Sequence, residues 1–143
     1  MGYFEDQHNK AKGGVSEEFS ASFHTEQNDA ISVESLHKVT NGDIELAYSL
    51  LGLFREHSQK YLSDFTTAKT QDERVNAIHA LKGAARCIAA HALADIAQEI
   101  EATQRQNKDS SEEERQNLVN VTQDIMTYIS MVEARKHQRN NSA

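Results

Sequence analysis

His79, Lys82 and Gly83, in the run His79-Ala80-Leu81-Lys82-Gly83, are the residues whose types and spacing most plainly make chemistry possible. In a helix, positions three and four residues on stack beside the first, so an imidazole, an ammonium and a gap share one face. The apolar residues around them (Ala77, Leu81, Ala84, Ala85 and Ile88) cluster on the opposite arc. That pattern predicts His79 held toward solvent with its helix anchored from behind. An ordinary imidazole titrates at about pH 6.5, so it is mostly neutral near neutrality and can attack phosphorus and then let the phosphoryl group go. Lys82 would bring a mobile positive charge to the phosphoryl oxygens. Glycine inside a helix costs about 1 kcal/mol against alanine, so Gly83 needs a reason. Removing its side chain opens space for a partner's active site to close over the imidazole. Arg86, one turn further along, adds positive charge.

These residues need a rigid helical support, and the pattern of the chain predicts one. A short helix near Val33 to Val39 should stop at Asn41-Gly42. A long one from about Asp43 to Ala68 carries Ile44, Ala47, Leu51, Phe54, Tyr61 and Phe65 at helical spacing. Thr70 and Glu73 form a plausible capping box for the histidine helix, which reaches about Ile88. After a link near Ala89 to His91, Leu93, Ile96, Ala97 and Ile100 mark a further helix that stops near Asn107. Ser110 or Ser111, with Glu113 or Glu114, caps the last one, whose stripe is Leu118, Val121, Ile125, Ile129 and Val132. Four long amphipathic helices with short links predict an all-α fold, an antiparallel up-down-up-down four-helix bundle with a short extra N-terminal helix. The bundle is expected over residues 31–139, followed by a tail at 140–143. Residues 1–30, with Gly13-Gly14 and scattered Phe4, Phe19 and Phe23, read as a flexible or loosely docked extension, although Glu17 to Phe23 could form a helical turn or two. Arg135, Lys136, His137 and Arg139 suit a helix C-terminus, where cations complement the dipole.

Composition narrows the function. A chain of 143 residues supports one core, and the complete absence of proline fits uninterrupted helices. A net charge of −7 argues against nucleic acid as a partner. No apolar run approaches the roughly 20 residues that span a bilayer, and no signal peptide opens the chain. The single Cys87 allows no internal disulfide, which points to a reducing, cytoplasmic setting. Met1 and the N-terminal segment lean toward a free-standing protein.

At His79-Ala80-Leu81-Lys82-Gly83-Ala84-Ala85 the chain resembles the histidine-containing phosphotransfer (HPt) domains of bacterial phosphorelays, whose motif is His-x-x-Lys-Gly on a long helix of a four-helix bundle. Asn41-Gly42-Asp43 and Leu50-Leu51-Gly52-Leu53-Phe54 look like the preceding loop and helix of such domains. Ile88-Ala89-Ala90 and the stretch from Leu93 to Glu101 look like the family's next long helix, so the similarity spans about Val33 to Val132. Ala89 stands where many members have glycine, and Arg86-Cys87 replaces a pair of small polar residues. The resemblance implies that His79 is phosphorylated by, and phosphorylates, aspartates on response-regulator receiver domains. It implies a hybrid or sensor histidine kinase upstream, no metal or other cofactor on this chain, and Mg²⁺ only on the receiver. Family members commonly carry Gln or Glu on the following helix to bind the second ring nitrogen, and counting through the segment places Glu101 there. A carboxylate in that position would fix the tautomer and leave Nε2 as nucleophile. The partner is expected across the first two long helices, near Leu50 to His57, with Phe54, Asn76 and Arg86 on that face. A monomer is expected.

Other readings fit less well. Glu5-Asp6-Gln7-His8 and Glu34-Ser35-Leu36-His37 share the Glu-x-x-His spacing of di-iron bundles, but one lies in the extension and the other on a short helix. His91, Asp95 and Glu99 share a face without a histidine pair. Sensor kinases usually have an acidic residue after the histidine and a proline soon after; here Ala80 follows, and there is neither a glycine-rich phosphate loop nor room for an ATP-binding domain. A bundle that binds receivers or kinases without carrying phosphate, as an adaptor or inhibitor, is the remaining alternative. The presence of His79 and Lys82 speaks against it.

Overall fold

The computed structural model describes residues 14–26 and 30–142. Among them are six helices and no strand: α1 (Glu17–Phe23), α2 (Val33–Thr40), α3 (Ile44–Thr67), α4 (Gln71–Cys87), α5 (His91–Arg105) and α6 (Glu112–Ser142). Most boundaries follow from local hydrogen bonding. The side chains of Ser16, Ser32, Asp43 and Thr70 each accept the backbone N–H three residues on, satisfying donors that a first helical turn leaves open. At the start of α6, Ser111 Oγ accepts the Glu114 N–H while Glu114 Oε1 accepts the Ser111 N–H, both at 3.0 Å. The α2 stop is equally local. Asn41 and Gly42 take left-handed φ angles of 54° and 77°. The left-handed backbone at Gly42 favours glycine, and a Cβ there would also crowd the His37 ring, 2.9 Å from Nε2.

Around a common core α3 packs on α4, α4 on α5, α5 on α6, and α6 returns to α3. Each helix contributes one buried stripe: Ala47, Leu51 and Phe54; Ala77, Ile78, Leu81 and Ala85; Leu93, Ala97 and Ile100; Leu118, Ile125, Ile129 and Val132. Val121, also expected in the last stripe, is only partly buried. The α4 stripe decides the site. With Ala77, Leu81 and Ala85 turned inward, residues 79 and 83 are left on the outer surface.

Two expectations need correction. Residues 15–26 are not loosely docked: Val15, Phe19 and Phe23 are fully buried. Burying a phenylalanine is worth roughly 1.5–3 kcal/mol, enough to hold a short helix down. Phe23 also stacks 4.8 Å from the Tyr48 ring, and its carbonyl accepts the Tyr128 hydroxyl at 2.6 Å. Burial pushes the Tyr128 phenol up, with Arg135 opposing, so it stays a donor. The rest of the expected extension, including Phe4 and the motif at His8, lies outside the described residues.

The second correction concerns the basic cluster. Arg135 does not cap its own helix; α6 runs on to Ser142, through the expected tail. Arg135 Nη1 donates to the carbonyls of Ala21, Ser22 and His24, and Arg139 to the Ala21 carbonyl and Ser22 Oγ. They neutralise the C-terminal end of α1, where unpaired carbonyls carry partial negative charge. Lys136 pairs with Glu45 and sits over the Tyr48 ring.

Candidate functional site

His79 projects from the outer face of α4 with 62% of its side chain exposed. Its Nδ1 lies 3.1 Å from Glu101 Oε2 on α5. Glu101 itself is 6% exposed, so it is no solvated surface acid. Such burial is tolerable only because each carboxylate oxygen meets a cation. Lys82 Nζ reaches Oε1 at 2.6 Å, and Arg105 donates to Oε2 through Nε at 3.1 Å and Nη2 at 2.7 Å. Burial raises the pKa of Glu101, but hydrogen bonds from Lys82, Arg105 and His79, and the charge of Lys82, outweigh it and hold the group at about 2. An ionised carboxylate can only accept, so the ring hydrogen facing it sits on Nδ1 and the lone pair is left on Nε2.

Lys82 departs from the expectation of a mobile charge. Only 13% of its side chain is exposed, and it is tied to the carboxylate that holds His79. The ammonium is therefore held on the other oxygen of the carboxylate that meets the ring. Gly83 is exposed, and a Cβ there would meet nothing within 4 Å. No packing among the described residues requires glycine. The glycine carries its helix-propensity cost and leaves an open floor one turn from His79.

The two flanks of His79 differ. Toward α3 lies an apolar groove of about 270 Å³, formed by Leu50, Leu53, His57 and Tyr61 on one side and Ala80, Gly83, Ala84 and Cys87 on the other. Leu53 is almost half exposed there. Toward α5 lies a polar seam, where Arg74 meets Gln104, Lys82 meets Glu101 and Arg86 meets Gln98.

The three residues expected on the docking face fare differently. Asn76 is exposed, in a shallow depression with Asp64, Thr67 and Glu73 below the groove. Phe54 is only 2% exposed and forms the groove floor, because its position on α3 faces the core. Arg86 is exposed but turns toward α5, with Nη2 2.9 Å from Gln98 Oε1, and lies outside the groove. Arg105, which sequence reasoning missed, follows Glu101 by four residues, a spacing that places it on the same helix face. No group of three or more His, Cys, Asp or Glu among the described residues is arranged to hold a metal. No helix there is long and apolar enough to cross a membrane.

A family model described as Hpt domain matches residues 49–134 of the 143. The matched span holds most of α3, all of α4 and α5 and most of α6, with the whole His79 site. No curated protein and no solved structure matches the chain significantly.

Proposed function

This chain belongs to the Hpt domain family, and on that premise we propose that it is a phosphorelay intermediate with His79 as the phosphorylated residue. It takes the phosphoryl group from a phosphoaspartyl receiver domain and hands it to a response-regulator receiver, or returns it. The bundle is up-down-up-down, works in the cytoplasm, and is a carrier without ATP-dependent kinase activity of its own.

The chemistry balances without moving a proton. The Nε2 lone pair attacks phosphorus, an N–P bond forms, and the P–O bond to the aspartyl carboxylate breaks as that carboxylate leaves. Nδ1 keeps its hydrogen throughout, and Glu101 opposes the positive charge that the ring acquires. Lys82, anchored on Glu101, steadies the phosphoryl oxygens. The Mg²⁺ that assists transfer is expected on the receiver. Leu53, His57 and Tyr61 dock that receiver, Gly83 lets it approach, and Asn76 borders the docking face.

One observation carries this reading: an outward imidazole whose Nδ1 is held by a buried, ionised carboxylate that also anchors Lys82. The test is incubation with a ³²P-labelled phosphorylated receiver. The wild type should acquire acid-labile label that His79→Gln lacks. Stable binding of the receiver with no label on either protein would refute the carrier and favour an adaptor.

A further inference from the structure

We infer that Gln104 is a positioning residue for His79: it locks α4 against α5 in the register at which one carboxylate reaches both the imidazole and Lys82. This rests on the reading of His79 as the transferring group. Gln104 is only 2% exposed, and a buried amide is costly unless bonded at both ends. Here it is. Oε1 accepts from Arg74 Nε at 2.8 Å, and Nε2 donates to Ser110 Oγ at 2.8 Å. Its backbone carbonyl accepts from Gln71 Nε2 at 2.5 Å. One residue thus joins the first turn of α4, the end of α5 and the loop before α6.

Spacing links this joint to the site. Gln104 lies three residues beyond Glu101 on α5, and Arg74 lies eight residues, two i+4 steps, before Lys82 on α4. The pairs Arg74–Gln104 and Lys82–Glu101 are therefore successive rungs of one seam. The upper rung cannot set the register alone, since His79 is mostly exposed and Lys82 meets Glu101 only through the tip of a long side chain. Arg105 cannot help, because it is on the same helix as Glu101. Helices slipped by one residue move about 1.5 Å. Such a slip would carry the 3.1 Å contact between Nδ1 and Glu101 beyond hydrogen-bond range if it opened along that line. The lower rung opposes it.

The test uses Gln104→Leu, Gln104→Glu and Arg74→Met in the full chain. The first readout is ¹⁵N NMR of the unphosphorylated His79 ring, which reports the share of molecules with hydrogen on Nδ1. The second is transfer from a phosphorylated receiver, separated into the rate at saturation and the half-saturating receiver concentration. Gln104→Leu should lower the Nδ1–H population and slow saturated transfer by about tenfold or more, since misplacing a reacting group by about 1 Å can cost about a hundredfold. Half-saturation should stay unchanged, because the groove lies on the other flank. Gln104→Glu, which still accepts from Arg74 and can accept from Ser110, should stay within about twofold of wild type on the same grounds. A ring spectrum and rate unchanged in a folded Gln104→Leu protein would overturn the inference. So would Gln104→Glu failing as badly as Gln104→Leu, the mark of a packing role. Should Gln104→Leu not fold, Arg74→Met carries both readouts with the same criteria. If even the wild type takes up no phosphoryl group, the relay reading fails, while the ring spectrum still decides whether Gln104 orients His79.

Discussion

Replacing Glu101 with Gln keeps the shape of the side chain and removes its charge, which separates its two duties. The amide oxygen can still accept the Nδ1–H of His79, but the NH₂ group then faces the Lys82 ammonium, donor against donor. The magnitude follows from the depressed carboxylate. A fall from 4.5 to about 2 corresponds to about 3 kcal/mol at roughly 1.4 kcal/mol per unit. Arg105 and His79, two of the three partners, are mostly exposed, and solvent screening reduces the expected contribution to about 2 kcal/mol. Because the folded value is below the unfolded one, this stability is fully present above pH 4.5 and is lost as pH falls toward 2. Urea unfolding of wild type and Glu101→Gln from pH 7 to pH 3 measures it. The stability difference should be about 2 kcal/mol and flat above about pH 5.5, then shrink steadily on acidification, while contributions from other carboxylates cancel between the two proteins. In the same variant His79 should keep hydrogen on Nδ1, yet transfer should slow because Lys82 has lost its anchor. A stability difference that does not vary between pH 7 and pH 3 would refute the argument that Glu101 is held ionised by its three partners.

Gly83→Ala should raise stability by about 0.5–1 kcal/mol, since nothing obstructs the new methyl group and alanine is the better helix former. Phosphotransfer should nevertheless fall, and a melting curve paired with a transfer assay would expose the case of an unaffected rate. Leu53→Asp, at a half-exposed groove position, should leave the fold intact and raise the half-saturating receiver concentration about tenfold, a loss of about 1.4 kcal/mol of docking energy. An unchanged value would remove the groove from the docking surface. Phe19→Ala should cost about 3–5 kcal/mol by denaturant unfolding, because the ring is completely buried. A loss under about 0.5 kcal/mol, the range of surface substitutions, would show α1 to be dispensable.

Much of this molecule was written locally. Asp43, Thr70 and Ser111 mark helix starts because a short polar side chain can accept an N–H three residues away, an interaction that needs no tertiary partner. Asn41-Gly42 ends α2 because its left-handed backbone suits those two residues. The same periodicity put His79 and Gly83 outside and Leu81 and Ala85 inside. Glu101 could be placed opposite His79 by counting along an uninterrupted stretch, yet the count could not show that Lys82 and Arg105 converge on the same carboxylate.

Only the packed helices decided the remaining partnerships. A residue at the border of an apolar stripe faces either a neighbouring helix or solvent according to how the helices are rotated against one another, which a single helix does not encode. Phe54 therefore became the floor of the groove, and Arg86 turned to Gln98. Arg135 and Arg139 found the carbonyl end of α1, more than a hundred residues away in sequence, once Phe19 and Phe23 had carried that helix into the core. Sequence spacing selects which atoms share a face. The long-range geometry of the bundle selects which charges meet, because an ion pair depends on a few ångströms of separation between helices that no local pattern specifies.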